Sequence, residues 1–128
     1  MEFIMKENGF TANFEYGTLH ISGNEEFGFR PYQLLVSSIA VCSGGVLRKV
    51  LEKKRIVYKD VKVTADVTRN PEGAQEIQKV HMHFIITGSN ISEEKIEKSL
   101  AVTRKNCSMV QSVKDSIEIT ESFEIIEG

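Results

Sequence analysis

Cysteine is scarce in this sequence: Cys42 and Cys107 are the two thiols in 128 residues. They form no C-x-x-C pair and no zinc-type cluster. A small secreted scaffold held by disulfides would need more of them. Charge of one sign is also lacking. The formal net charge of −2 gives no general attraction to nucleic acid or to an anionic membrane. The first residues, Met1-Glu-Phe-Ile-Met-Lys-Glu7, lack the basic start and apolar core of a signal peptide. Phosphate-cradling glycine patterns, a G-x-S-x-G elbow and H-E-x-x-H are absent, as are internal repeats, low-complexity tracts and linkers. What remains is a soluble, cytoplasmic protein with one domain over residues 1–128. Its 41% hydrophobic and 27% charged residues are those of an ordinary globular chain. Two far-separated thiols are then inert core residues, a catalytic or redox pair, or one of each.

What is present is organised around one stretch. From Pro31 to Leu47 there is no charged residue. Pro31 suits the first turn of a helix, where its missing N–H would have no partner anyway. The stretch is shorter than the roughly 20 residues that span a bilayer, and it carries Gln33, Ser37, Ser38 and Ser43. The spacing predicts a helix from about Pro31 to Lys54 with Leu35, Ile39, Cys42, Val46 and Val50 along one face. A helix apolar on all sides must be buried on all sides. Gly44-Gly45 is costly inside a helix and suggests a kink or the close approach of another backbone. A second copy of the same helix across a dimer axis is a candidate for that backbone.

The flanking residues alternate. Phe10, Ala12, Phe14 and Tyr16 read as one half-buried strand after the Asn8-Gly9 turn, and Leu19 and Ile21 as another. Val61, Val63, Ala65 and Val67 mark a strand within 57–69. Val80, Met82, Phe84 and Ile86 mark the next, with Lys79, His81 and His83 on its other face. A helix should begin near Ser92, with Glu93 and Glu94 where the dipole favours acids. Asn106 is a candidate cap for a short helix from Cys107 to Val113, and a last strand carries Ile117, Ile119, Phe123 and Ile125. Strands in hairpins with helices apart from them indicate an α+β fold with antiparallel sheets packed around the long central helix. A meander of two or three strands cannot cover a helix that is apolar all round, which argues for a homodimer that buries two central helices together.

Several residues could carry chemistry. On position alone Cys42, among aliphatic side chains, is an inert core cysteine whose burial raises the thiol pKa. Its reactivity would require a cation or N–H donors beside it. Arg30, at the helix entrance, is about 18 Å along the axis by helix rise. It cannot reach Cys42 within its own helix, but could reach the other copy's in an antiparallel pair. Cys107, if capped by Asn106, lies in a first helical turn, where unpaired N–H groups lower a thiol pKa; a buried helix-start residue is the bland alternative. His81 and His83 share a strand face and could hold a metal, but a site needs a third or fourth ligand; a solvated sheet face explains them, as it does the isolated His20. The run Arg48-Lys49…Lys53-Lys54-Arg55 complements a helix C-terminus and has no interleaved aromatics for stacking bases.

With these residues in view, the sequence resembles a known family. A β-meander followed by a small-residue helix with the cysteine in Leu34-Leu-Val-Ser-Ser-Ile-Ala-Val-Cys-Ser43 is similar to the OsmC/Ohr family, the osmotically inducible protein C and organic hydroperoxide resistance proteins. So are His83-Phe-Ile-Ile-Thr-Gly88 and, after the next helix, Asn106-Cys-Ser-Met-Val110 with a closing strand. The likeness covers nearly the whole chain and is nearest the poorly characterised bacterial branch of OsmC-like proteins. It implies an α+β fold in an intertwined homodimer with active sites built from both chains. It implies a thiol peroxidase that reduces organic hydroperoxides in oxidative-stress defence. Cys42 would be the peroxidatic thiolate that becomes a sulfenic acid. Cys107 would be the resolving thiol, and a cellular thiol would be the reductant. No metal or organic cofactor is implied.

The resemblance departs at two places. The family's peroxidases pair the reactive cysteine with an arginine from the N-terminal strand region and a glutamate near the helix start. This chain has no arginine before Arg30, and Tyr32, followed by Gln33, stands where the glutamate would be. Arg30 could stand in for the first group, and Glu25 or Glu26 for the second. The alternative function is a non-catalytic dimeric module of the same fold that binds a small apolar ligand or senses oxidants between the chains.

Overall fold

The uncharged stretch forms helix α1, Pro31–Lys53, in the computed structural model, which describes residues 1–128. Pro31 occupies its first turn, and the Gln33 side chain accepts a hydrogen bond from the Arg30 N–H at 3.3 Å, half of a capping box. The buried line is Val36, Ile39, Ser43, Leu47 and Leu51. It is therefore rotated from the predicted face of Leu35, Ile39, Cys42, Val46 and Val50, and the two share Ile39 alone. Cys42 is half-buried at the margin, and Val41 is 73% exposed. A helix apolar on every side carries no phase signal in its sequence, which is why the spacing misplaced the face. The helix continues past Leu47 to Lys53, so by length and composition it could cross a membrane. Core helices of soluble proteins pass the same test.

The chain divides into two compact units, Met1–Ser37 and Ser38–Gly128. In the first, β1 (Ile4–Lys6), β2 (Gly9–Asn13) and β3 (Thr18–Ile21) form an antiparallel meander in that order. The strand expected through Tyr16 stops at Asn13, because Phe14 and Gly17 close a turn with two backbone hydrogen bonds of 3.0 and 3.1 Å. Tyr16 at its tip is fully exposed. Gly9 is required where it stands, since a Cβ there would collide with the Ile21 carbonyl.

In the second unit β4 (Asp60–Arg69), β5 (Ile77–Gly88) and β6 (Glu118–Glu127) form a three-stranded sheet. Helices α2 (Glu93–Asn106) and α3 (Ser108–Val113) lie between β5 and β6 in sequence. Ser92 caps α2 and accepts from the Lys95 N–H at 3.4 Å. The α+β class holds, with one departure from purely antiparallel sheets: β6 runs parallel to β5. A long helical connection permits this, whereas a hairpin would force the antiparallel sense. Register aligns Val67, Val80 and Ile119, then Val63, Phe84 and Phe123, then Val61, Ile86 and Ile125 across the sheet. Val80, Met82, Phe84 and Ile86 are completely buried, with Ile96 of α2 and Leu47 and Leu51 of α1. Glu121 interrupts the apolar face opposite Met82. It is tied to Arg104 of α2, whose Nη1 donates to Glu121 Oε1 at 3.1 Å and to the Ile119 carbonyl at 2.8 Å. Phe84→Ala is expected to destabilise this unit by about 3–5 kcal/mol, read as a lower denaturation midpoint in urea.

Candidate thiol site

The two cysteines meet. Cys42 comes from α1, and Cys107 from the single non-helical residue between α2 and α3. Cys107 has extended backbone angles, φ −81° and ψ 109°, and its N–H closes α2 on the Thr103 carbonyl at 2.9 Å. It is itself the N-cap of α3, its sulfur accepting from the Val110 N–H at 3.5 Å. Asn106, expected to be that cap, is instead the last residue of α2, and its side chain donates back to the Val102 carbonyl at 2.8 Å. The cap falls one residue on, at Cys107, since Asn106 is still helical and its side chain is engaged by the Val102 carbonyl.

Each thiol is paired with the serine that follows the other. Cys42 Sγ lies 3.7 Å from Ser108 Oγ, and Ser43 Oγ donates to Cys107 Sγ at 3.4 Å. Both sulfurs are free thiols; Cys107 is fully buried and Cys42 half-buried. Burial pushes the Cys42 thiol up and is the largest single influence on it. Hydrogen bonds from the Met109 N–H, the Cys107 thiol, and the Ser108 hydroxyl and N–H outweigh it, so the pKa falls below the ordinary thiol value. At the start of the short helix the Ser108 and Met109 N–H groups therefore act on Cys42, while the Val110 N–H reaches Cys107. Ser43, Ser108 and Met109 went unnamed as functional candidates. Their signal was the dipeptide Cys-Ser, which occurs at both cysteines.

Arg30 belongs to the other compact unit. Its guanidinium lies 3.9 Å from Glu25 and 5.1 Å from the Tyr32 ring centroid, and its Nε is buried without a hydrogen-bond partner. Tyr32 thus packs beneath the arginine in the place where the resemblance would put a carboxylate. Elsewhere, Arg48 Nε donates to the Tyr58 hydroxyl at 3.2 Å, which donates to Glu52 at 3.1 Å, as befits a solvated helix end. A groove of about 330 Å³ lies along Ala40, Val41, Gly44, Gly45 and Arg48 of α1 and Val61 and Val63 of β4. A Cβ on Gly44 would press on Val63 at 3.3 Å, so one of the two glycines answers to β4.

The OsmC-like protein family model matches residues 22–122, which include both cysteines. No curated protein sequence matches this chain significantly. Among solved structures, a hypothetical protein from Aquifex aeolicus is 24% identical with a TM-score of 0.88, over 99% of this chain and 95% of that one. An OsmC-like protein from Mycoplasma pneumoniae is 16% identical with a TM-score of 0.86, over 98% and 94%. An organic hydroperoxide resistance protein OsmC from Legionella pneumophila is 16% identical with a TM-score of 0.72, over 97% of each chain. At these identities the likeness establishes the fold.

Ser108→Ala removes one of the hydrogen bonds that favour the Cys42 thiolate. The expected outcome is a higher Cys42 pKa, and so a smaller thiolate fraction and slower alkylation near neutral pH. A pH profile of iodoacetamide modification, with Cys107 replaced by serine, checks it; a profile that stays in place would show that Ser108 does not act on Cys42.

Proposed function

This chain belongs to the OsmC-like protein family, and on that footing we propose that it is a thiol peroxidase that reduces organic hydroperoxides in oxidative-stress defence. The observation that carries the proposal is the Cys42 sulfur, half-exposed, held below the ordinary thiol pKa by hydrogen-bond donors, and in contact with a second thiol. The Cys42 thiolate attacks one peroxide oxygen. The O–O bond breaks, the alkoxide leaves and takes a proton to become the alcohol, and Cys42 becomes a sulfenic acid. The Cys107 sulfur then attacks Cys42, water leaves, and a disulfide forms. A thiol reductant opens that bond by exchange. No metal or organic cofactor enters these steps.

The proposal includes a homodimer. The unit Met1–Ser37 leaves Phe3, Met5, Phe10, Phe27 and Phe29 substantially exposed, and α1 exposes Val41 and Leu35. A piece this small does not close a core of its own. A second copy supplies the missing cover, and in that assembly residues 1–128 act as a single OsmC-like domain. The partner subunit's Arg30 is then the proposed cation for Cys42, supported by its unsatisfied Nε. A cytoplasmic location fits both a thiol reductant and the two free cysteines. The second reading, a non-catalytic module that takes a small apolar ligand, is favoured by the groove along Ala40, Val41, Gly44 and Gly45.

Cys42→Ser is expected to abolish consumption of cumene hydroperoxide. Cys107→Ser should keep a single turnover that ends at the sulfenic acid, trapped by dimedone. Unchanged turnover by Cys42→Ser would exclude the peroxidase and leave the binding module. Light scattering should give twice 14.4 kDa; a monomer would remove the proposed source of the arginine.

A further inference from the structure

The outer face of the second sheet carries a continuous row of polar groups that the thiol chemistry does not use. His81 Nδ1 lies 2.6 Å from Thr120 Oγ1, and His81 Nε2 lies 2.8 Å from Ser122 Oγ. His83 Nδ1 lies 2.7 Å from the same Ser122 oxygen, and His83 Nε2 lies 3.0 Å from Glu124 Oε1. Two imidazole nitrogens from different rings therefore converge on one point, marked by Ser122 Oγ. The outer nitrogen of each ring is held by an orienting partner. Glu124, as a carboxylate, accepts from His83 Nε2–H, which leaves His83 Nδ1 with its lone pair facing inward. Thr120 Oγ1 can accept as well as donate, so His81 can carry its proton on Nδ1 and turn a lone pair on Nε2 to the same point. Metal-binding histidines are oriented in this way by a carboxylate or other acceptor on the far nitrogen.

We infer that His81 Nε2 and His83 Nδ1 form a surface chelate for a divalent transition metal of borderline softness, such as Zn2+. An ion bound to both nitrogens sits about 2.0–2.1 Å from each, so it enters where the hydroxyl now lies. The Ser122 hydroxyl rotates aside as the ion enters, and water completes the coordination, since no third His, Cys, Asp or Glu joins the pair in a ready-made ligand cluster. Asp66, opposite His81 on β4, and Glu124 bring negative charge to the face. Lys79, two residues before His81 on the same face, opposes it. His83 is 30% exposed and Glu124 is 53% exposed, so an ion has access from solvent. Ligand exchange here needs no electron transfer, and with His81 changing tautomer it releases no proton from either ring.

The test uses the full chain with Cys42→Ser and Cys107→Ser, so that thiols do not compete for the ion. Calorimetric titration with Zn2+ is expected to show one ion per chain. His81→Gln and His83→Gln should each weaken binding by at least about tenfold, and Glu124→Ala, which removes the acceptor that orients His83, by about tenfold. Ring nitrogen resonances of His81 and His83 should shift on Zn2+ addition while those of His20 stay in place. No binding, or binding that neither histidine substitution changes, overturns the site. If a histidine variant does not fold, the ring resonances of the parent decide it, and their failure to shift overturns it equally.

Discussion

The constraint on which most of this molecule depends is that α1 carries no charge on any side from Pro31 to Leu47 while the chain buries one stripe of it. Val36, Ile39, Ser43, Leu47 and Leu51 take the core side. Everything beside that stripe, Cys42 included, sits at a margin. A thiol on the stripe itself would be sealed among aliphatic groups, with nothing to offset the cost of ionising it. One residue away, the sulfur remains close enough to the core to contact Cys107 and exposed enough to be reached from solvent. The same exposed flank leaves apolar surface that a second copy is proposed to cover, so the arrangement that presents the thiol also creates the demand for a partner.

The chemistry of the thiol follows from how two helices end. A single extended residue, Cys107, closes α2 with its N–H and opens α3 with its sulfur. Its side chain occupies the capping position on α3, and the next N–H groups, of Ser108 and Met109, are turned toward Cys42. Burial and hydrogen bonding then act in opposite directions on one sulfur. The donors prevail because several of them converge on it, whereas its partial exposure limits the desolvation cost. The cross-pairing, Ser108 with Cys42 and Ser43 with Cys107, keeps both sulfurs in the same small polar patch inside an otherwise aliphatic region.

Much of this was legible from residue order. Alternation on β4 and β5 reports directly which side chains share a face, because a strand half-buried on a sheet has a period of two. The starts of α1 and α2 are likewise written in Pro31 and in Ser92-Glu-Glu94. Two features were not legible, for physical reasons. The phase of α1 is hidden by the uniform apolarity of Pro31–Leu47, so the spacing puts Cys42 on the core line, whereas it lies beside it. The parallel sense of β6 was hidden because the pattern Ile117, Ile119, Phe123, Ile125 is the same read in either direction. The contact between the thiols is also long-range. Only the repeated Cys-Ser dipeptide hinted at the serines, and nothing local announced the N–H donors.

The parallel pairing of β6 with β5 links the two candidate sites. The connection that makes it possible is α2–Cys107–α3, and that connection places the second thiol. Its register matters as much as its direction. With His81 opposite Thr120 and His83 opposite Ser122, the hydroxyls and Glu124 fall on the outer face and Glu121 on the inner one. A slip of one residue would exchange those faces, placing Ser122 in the core and Glu121 in water. Arg104 opposes the slip: it holds Glu121 and the Ile119 carbonyl together from α2, two residues before the helix ends at Asn106. A half-buried acid that interrupts an apolar face is therefore not a defect of the core. It is the contact by which α2, while delivering Cys107 to Cys42, also fixes which side chains β6 presents to His81 and His83.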